Sequence, residues 1–242
     1  MDLAKTVYTD FGFKDITCYL STKPQKASGE AELWDKAIVM LREALGGSGL
    51  PFEVDEGGGA FYGPKIDLKV RDAIGREWQM ATIQLDFVLP RRFEVKMRTA
   101  DGGDDYAVMI HRAIFGSFER FVGVLIEHYA GKFPLWLSPV QVKVLTLTDK
   151  QDEPARKLAA ALTAAGLRVE LDLRPEKIGH KIREATLEKV PYMAVLGPRD
   201  VEAGVVSVRR QDGVQVNGLT AEALVAKLSE EARTRALAPT LS

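Results

Sequence analysis

The chain lacks paired cysteines, long apolar runs, internal repeats and a strong net charge, and each absence closes off a class of protein. Cys18 is the only cysteine among 242 residues, so no disulfide can form within the chain and a reducing, cytoplasmic setting is expected. No apolar run approaches the roughly 20 residues that a membrane-spanning helix requires. The start, Met1-Asp2-Leu3-Ala4-Lys5, has neither the basic opening nor the apolar block of a secretory signal. The net charge is only −1. Dividing the chain after Ser138 leaves a slightly acidic first part and a slightly basic second part, too small a difference to argue by itself for a nucleic-acid partner.

What is present is the balance of a soluble protein with a real core: 46% hydrophobic and 28% charged residues, at a length suited to one large or two modest domains. A glycine and two prolines interrupt a helical pattern at Gly131-Lys132-Phe133-Pro134-Leu135-Trp136-Leu137-Ser138-Pro139, which places a domain boundary there, with domains over 1–133 and 134–242. Before it, Ile16 to Leu20 reads as a strand. Trp34, Ala37, Ile38, Leu41 and Leu45 mark one face of a helix over 30–45, closed by Gly46-Gly47. Ile66, Leu68 and Val70 alternate with Asp67, Lys69 and Arg71 as a half-buried strand. Asp72 to Gly75 turns into a long strand over Glu77 to Leu89. Tyr106 to Ile110 reads as a further strand, leading to a helix with a stripe of Ile114, Phe118, Phe121, Val122 and Leu125. Antiparallel strands packed by helices predict an α+β layer.

After the boundary, strands at Val142–Leu147, Val169–Leu173 and Tyr192–Leu196 alternate with helices around Ala155–Leu162 and Lys177–Lys189. A hairpin at Asp212-Gly213 joins Val205–Arg210 to Val214–Val216, and Thr220 caps a last helix through Leu224, Val225 and Leu228. This predicts a small α/β domain.

Four segments carry more polar chemistry than plain strands need. Gly57-Gly58-Gly59-Ala60-Phe61-Tyr62-Gly63-Pro64-Lys65 is either a close-approach ligand loop with Lys65 meeting an acidic group, or a flexible hairpin with a solvated lysine. Thr82, Gln84 and Asp86 share one strand face by alternation, as a binding surface or a water-facing one. His111 sits at a strand-to-helix junction and Arg120 within an otherwise apolar helix; singly, either is as consistent with packing as with a site. Arg174, Lys177, His180, Lys181 and Arg183 gather at a helix start, as a phosphate-facing patch or a solvated face.

Taken in order, these segments resemble a known family. AFYGPKID, WQMATIQLDF and MIHRAIFGSFERF resemble the second half of a threonyl-tRNA synthetase catalytic domain. SPVQVKVL, DLRPEKIGHKIREATLEKVPYMAVLG and VSVRR resemble the anticodon-binding domain of the same enzymes, and ITCYLSTKPQ and ELWDKA extend the likeness toward the start. The tail domain is shared with prolyl-, glycyl- and histidyl-tRNA synthetases, whereas the string around His111 fits the threonyl branch.

The resemblance implies a partial class II catalytic core, an antiparallel α+β sheet, followed by a small α/β anticodon-binding domain. It implies activation of threonine with ATP and magnesium as threonyl adenylate, transfer to tRNA, and a homodimeric intact enzyme. Arg120 matches the arginine of the third class II signature, which contacts ATP; Gln79 and Thr82 match nucleotide-contacting positions. Tyr62 and Gln84 match positions that hold the amino acid, with Lys65 beside them. Strict alternation puts Gln79 and Gln84 on opposite faces, so either a bulge lies between them or one assignment is wrong. His111 matches a ligand of the family's zinc ion; the other two ligands, a cysteine and a histidine, have no counterpart in Cys18, His128 or His180. Arg183 and Arg209 match anticodon contacts, with Lys177 and Asp200 in the same region.

Pro175 and Asp200 stand where asparagine and glutamate are usual, and Ala81 and Gln25 where glycine and glutamate are. The first two class II signatures are not found, so the chain is expected to begin inside a domain and to be inactive alone. The competing expectation is a non-catalytic RNA-binding module.

Overall fold

A computed structural model describes residues 1–242 and contains two compact units, Met1–His128 and Tyr129–Ser242. The division falls before the expected boundary at 133/134. Tyr129 packs its ring on Phe133, with centroids 5.8 Å apart, and Lys189 Nζ donates to the Ala130 carbonyl at 2.6 Å, so residues 129–133 go with the second unit.

The first unit opens with helix α1, Asp2–Asp10, an element beyond those expected from the sequence. It continues through β1 (Ile16–Ser21), α2 (Ala31–Gly46), β2 (Phe52–Asp55), β3 (Lys65–Arg71), β4 (Glu77–Asp86), a short α3 (Leu89–Arg92), β5 (Lys96–Arg98), β6 (Asp104–Tyr106), β7 (Met109–Ala113) and α4 (Phe118–His128). β5 and β6 pair only with each other; the other strands form a sheet in the order β2-β1-β3-β4-β7. Its pairings are antiparallel except β1 with β2, which run parallel.

Alternation gives this sheet two chemically different faces. Cys18, Leu20, Ile66, Leu68 and Val70 are buried on one, and burial pushes the Cys18 thiol up to about 11. The other carries Ser21, Lys65, Asp67, Thr82 and Gln84, which lie opposite one another across β1, β3 and β4. In α2 the apolar residues recur every three or four positions, burying Trp34, Ala37, Leu41 and Leu45; the Trp34 indole donates to the Ser28 carbonyl at 2.8 Å. In α4 the buried residues are Phe121, Val124 and Leu125. Phe118 and Val122 of the expected stripe point outward, because the buried arc is centred one position along from the expected phase.

The second unit comprises β8 (Val142–Thr146), α5 (Asp152–Ala164), β9 (Val169–Asp172), α6 (Ile178–Leu187), β10 (Tyr192–Leu196), α7 (Pro198–Ala203), β11 (Val206–Arg210), β12 (Gln215–Leu219) and α8 (Ala221–Arg233). The sheet order is β12-β11-β10-β8-β9; β8 runs parallel to both neighbours and is buried throughout, as expected for a strand covered on both faces. One face packs Val142, Val144, Tyr192, Ala194, Val206 and Val208 against Leu158, Leu162, Leu224 and Leu228 of α5 and α8. The other packs Leu145 and Met193 against Ala185, Ile178 and Ile182 of α6. The hairpin turn forms at Asp212-Gly213, where Gly213 takes φ +90°, a conformation glycine adopts without steric cost. Thr220 caps α8 by accepting the Ala223 amide at 3.2 Å.

Candidate functional site

The polar face of the first sheet is shaped by a tight turn. Ala60 and Gly63 exchange backbone hydrogen bonds at 3.1 and 3.3 Å, which throws Phe61 and Tyr62 out as the turn's tip. A Cβ at Gly63 would collide with the Leu85 carbonyl of β4, so only glycine lets the turn lie this close to the strand. Tyr62 is thereby brought over β4, where its hydroxyl donates to Gln84 Oε1 at 3.0 Å. With that oxygen accepting, the Gln84 amide nitrogen is left to donate.

The alternation problem in β4 is resolved by a bulge. Leu68 pairs with Ala81 but Lys69 pairs with Gln79, leaving Met80 as the extra residue. Gln79 therefore shares the face of Thr82 and Gln84. Its Nε2 donates to Thr82 Oγ1 at 2.9 Å and to Asp67 Oδ1 at 2.7 Å, and the Thr82 hydroxyl donates to the same Asp67 oxygen at 2.7 Å. Lys65 pairs with the second Asp67 oxygen. Asp67 is thus the buried hub of the face, and no sequence signal marked it beyond its place in an alternating strand. The cross-strand pairing of Asp67 with Thr82 is what gives it partners.

Tyr62, Lys65, Gln79, Thr82, Gln84 and His111, with Ala60, Arg112 and Ala113, line one open cleft of about 520 Å³. Arg112 is a lining residue that sequence reasoning missed. His111 enters from β7, directly across from Gln84; its ring meets Tyr62 edge-on at 6.1 Å, and its Nε2 lies 2.9 Å from Asp86 Oδ2. Arg120 does not line the cleft. Its Nη1 donates to the Gln79 carbonyl at 2.8 Å and its side chain is exposed, so it is anchored to the strand segment whose Gln79 side chain reaches the cleft.

A zinc ion with three protein ligands does not fit these residues alone. No group of three His, Cys, Asp or Glu side chains converges anywhere in the chain, Cys18 is buried, and His111 stands as a single imidazole.

In the second unit, Lys177 and Arg183 are exposed at the start and middle of α6. Arg209 lies across β11 from Met193 of β10. Met193 packs against α6, so by alternation Arg209 occupies the α6 side of the sheet. Asp200 closes α7 from within: its carboxylate accepts the Gly197 amide at 2.9 Å and the Ser207 hydroxyl at 2.7 Å. Beside α6, Arg174 is held internally by Asp172 at 2.6 Å and Glu184 at 2.5 Å. That guanidinium is the main reason Asp172 titrates below the usual carboxylate range. Lys181 is buried, and its Nζ donates to the Thr146 and Asp172 carbonyls at 3.0 and 3.1 Å.

Comparison with known proteins agrees with both units. Residues 1–129 match the model of the tRNA synthetase class II core domain (G, H, P, S and T), and residues 141–231 match that of the anticodon binding domain. The chain is 52% identical over 98% of its length to a threonine--tRNA ligase of Magnetococcus marinus, of which it covers 37%. It is 48% identical to that of Thermotoga neapolitana, over its full length and 38% of that protein. The chain thus spans little more than a third of the curated relatives it matches. The crystal structure of the RNA binding domain of threonyl-tRNA synthetase from Cryptosporidium parvum superposes with a TM-score of 0.87 at 38% identity, covering the whole chain and 60% of that one. A putative threonyl-tRNA synthetase from Aeropyrum pernix gives 0.77 at 28% identity, over 97% of this chain and 59% of its own. The chain belongs to the class II aminoacyl-tRNA synthetases, in the threonyl-tRNA synthetase family.

Proposed function

We propose that this chain supplies one wall of a threonine-activating site together with an anticodon-reading module. The polypeptide or assembly that contains it then ligates threonine to tRNA through threonyl adenylate, using ATP with magnesium. The observation that carries this reading is the single cleft shared by Tyr62, Lys65, Gln79, Thr82, Gln84 and His111. A polar strand face with a buried aspartate hub costs stability unless it serves a ligand.

Each side chain has work in that scheme. Gln84, oriented by Tyr62, offers amide donors to the amino acid. Gln79 and Thr82, held together on Asp67, form a rigid pair for the nucleotide. Lys65 brings positive charge beside them, and Arg120 is suited to neutralise phosphate charge as pyrophosphate leaves. His111 is the one ligand this chain would contribute to a zinc ion, whose chemistry would be to tell threonine's hydroxyl from the methyl of isosteric valine. The remaining ligands would come from outside these residues. Lys177, Arg183 and Arg209 face the anticodon loop, whose unstacked bases can be read at their edges; with Asp200 engaged in its helix cap, its part there is indirect. The same reading places the intact enzyme in the cytoplasm as a homodimer.

A second reading, a tRNA-binding module without catalysis, is favoured by one observation: the chain by itself offers no three-ligand metal group. One measurement tests the part the readings share and a second separates them. The chain is expected to retain a tRNA carrying a threonine anticodon more tightly than one with an altered anticodon. Arg209→Ala should weaken that binding by about 1 kcal/mol and lower its salt slope by about one. Equal retention of both tRNAs removes the anticodon assignment. Threonine-dependent exchange of pyrophosphate into ATP by the polypeptide or assembly that contains the chain, present or absent, then decides between catalyst and module.

A further inference from the structure

Next to the cleft lies a carboxylate that the scheme above does not use. Asp86 closes β4 with no exposed surface. Its Oδ1 accepts the amides of Val88 and Leu89, each at 2.9 Å, which builds the turn into α3. Its Oδ2 lies 2.9 Å from His111 Nε2. Met109, not His111, is the cross-strand partner of Asp86, so the contact is a diagonal one between neighbouring rungs. A carboxylate accepts at both oxygens, which puts the hydrogen of this contact on Nε2. The edge-on Tyr62 ring limits rotation of the imidazole out of that arrangement. A neutral imidazole protonated at Nε2 carries its lone pair at Nδ1.

We propose that Asp86 is a positioning residue that locks His111 as the Nε2–H tautomer and turns the Nδ1 lone pair into the cleft as an acceptor. The arrangement is the one in which a carboxylate behind an imidazole fixes the tautomer and orientation of a ring that works on its other side. The lock stands on local geometry alone; the use of Nδ1 rests on the reading of the cleft as an amino-acid site.

The test uses the 242-residue chain labelled with ¹⁵N in its histidines, observed by long-range ¹H–¹⁵N correlation at about pH 8, above the ordinary imidazole range. His111 is identified by the signal lost in His111→Gln. The expected result is a proton on Nε2 and a bare Nδ1. A proton on Nδ1, or a signal averaged between the two nitrogens, overturns the proposal. Asp86→Asn can keep the backbone contacts while offering an N–H to His111, and should switch the protonated nitrogen to Nδ1; an unchanged tautomer overturns the lock. If that variant does not fold, Asp86→Ser replaces it. A serine can still cap the Val88 and Leu89 amides but is too short to hold His111, so the signal should average. Adding threonine alone, and zinc alone, to the native chain tests the second clause. A shift of the bare Nδ1 with threonine assigns its lone pair to a substrate donor, and a shift with zinc only assigns it to a metal. No shift with either, while the tautomer is as expected, removes the use of Nδ1 as an acceptor in this chain and leaves the lock standing.

Discussion

The two units treat their sheets in opposite ways. The second buries both faces, one beneath α5 and α8 and the other beneath α6, and carries Lys177, Arg183 and Arg209 at α6 and on β11. The first buries one face and leaves the other polar, with Asp67 and Asp86 sunk beneath it. It also leaves Ile110, Phe118, Val122 and Ile126 exposed around β7 and α4, and β7 is an edge strand. A fold that hides both faces gains stability from each; one that keeps a polar face exchanges part of that gain for a binding surface.

The comparison breaks most visibly if the units are separated. Residues 129–242 alone should melt cooperatively, whereas residues 1–128 alone should unfold gradually or associate through their exposed apolar residues. A sharp, reversible transition in the isolated first unit would erase the contrast. Cys18 gives a second readout of the same difference. Buried, with its thiol pushed up to about 11, it should react with a thiol reagent only when the first unit opens. Reaction at the rate of a free thiol would show that core to be open already.

Within the second unit the next largest effect is expected at Lys181. Its Nζ satisfies two buried carbonyls and lies 3.8 Å from Asp172 Oδ1. Lys181→Met should cost about 3 kcal/mol in urea unfolding by leaving those groups unpaired. A loss under about 0.5 kcal/mol, ordinary for a surface change, would mean that the lysine is dispensable.

The smallest effect concerns acid. Hydrogen bonding from Arg174 is the largest influence on Asp172 and lowers its folded-state titration. A depressed carboxylate stabilises the fold above its unfolded value, near 3.9, and that contribution disappears as pH falls through the lower folded value. Between about pH 5 and pH 3 the native second unit should therefore lose more stability than Asp172→Asn. Parallel losses in the two proteins would contradict the sign.

Much of the architecture could be read from residue order, because it depends on local chemistry. The spacing of Trp34, Ala37, Leu41 and Leu45 marked α2, the alternation of Ile66, Leu68 and Val70 marked β3, and Asp212-Gly213 marked the last hairpin. Short or weakly patterned pieces were not legible: α1 has a thin apolar face, and α7 is held by Asp200 in a cap that no periodicity announces. The phase of α4 is ambiguous in sequence because apolar residues occupy both Phe118/Val122 and Phe121/Leu125, and only packing chooses between two such stripes. Of the site, Tyr62, Lys65, Gln79, Thr82, Gln84 and His111 were named from resemblance and lie in one cleft, while Arg112, Asp67 and the His111–Asp86 pair were not foreseen.

Residue order by itself determined the longer, strongly patterned strands and helices, several of the turns, and which polar residues stand out against an apolar background. All of these follow from rotamers, caps and periods spanning a few residues. The tertiary structure alone decided that Met80 bulges, so that Gln79 joins the face of Thr82, that Asp67 becomes their shared acceptor, and that Asp86 takes one nitrogen of His111. The physical reason is that these outcomes depend on pairing register between strands distant in sequence, where a shift of one residue moves a side chain to the opposite face.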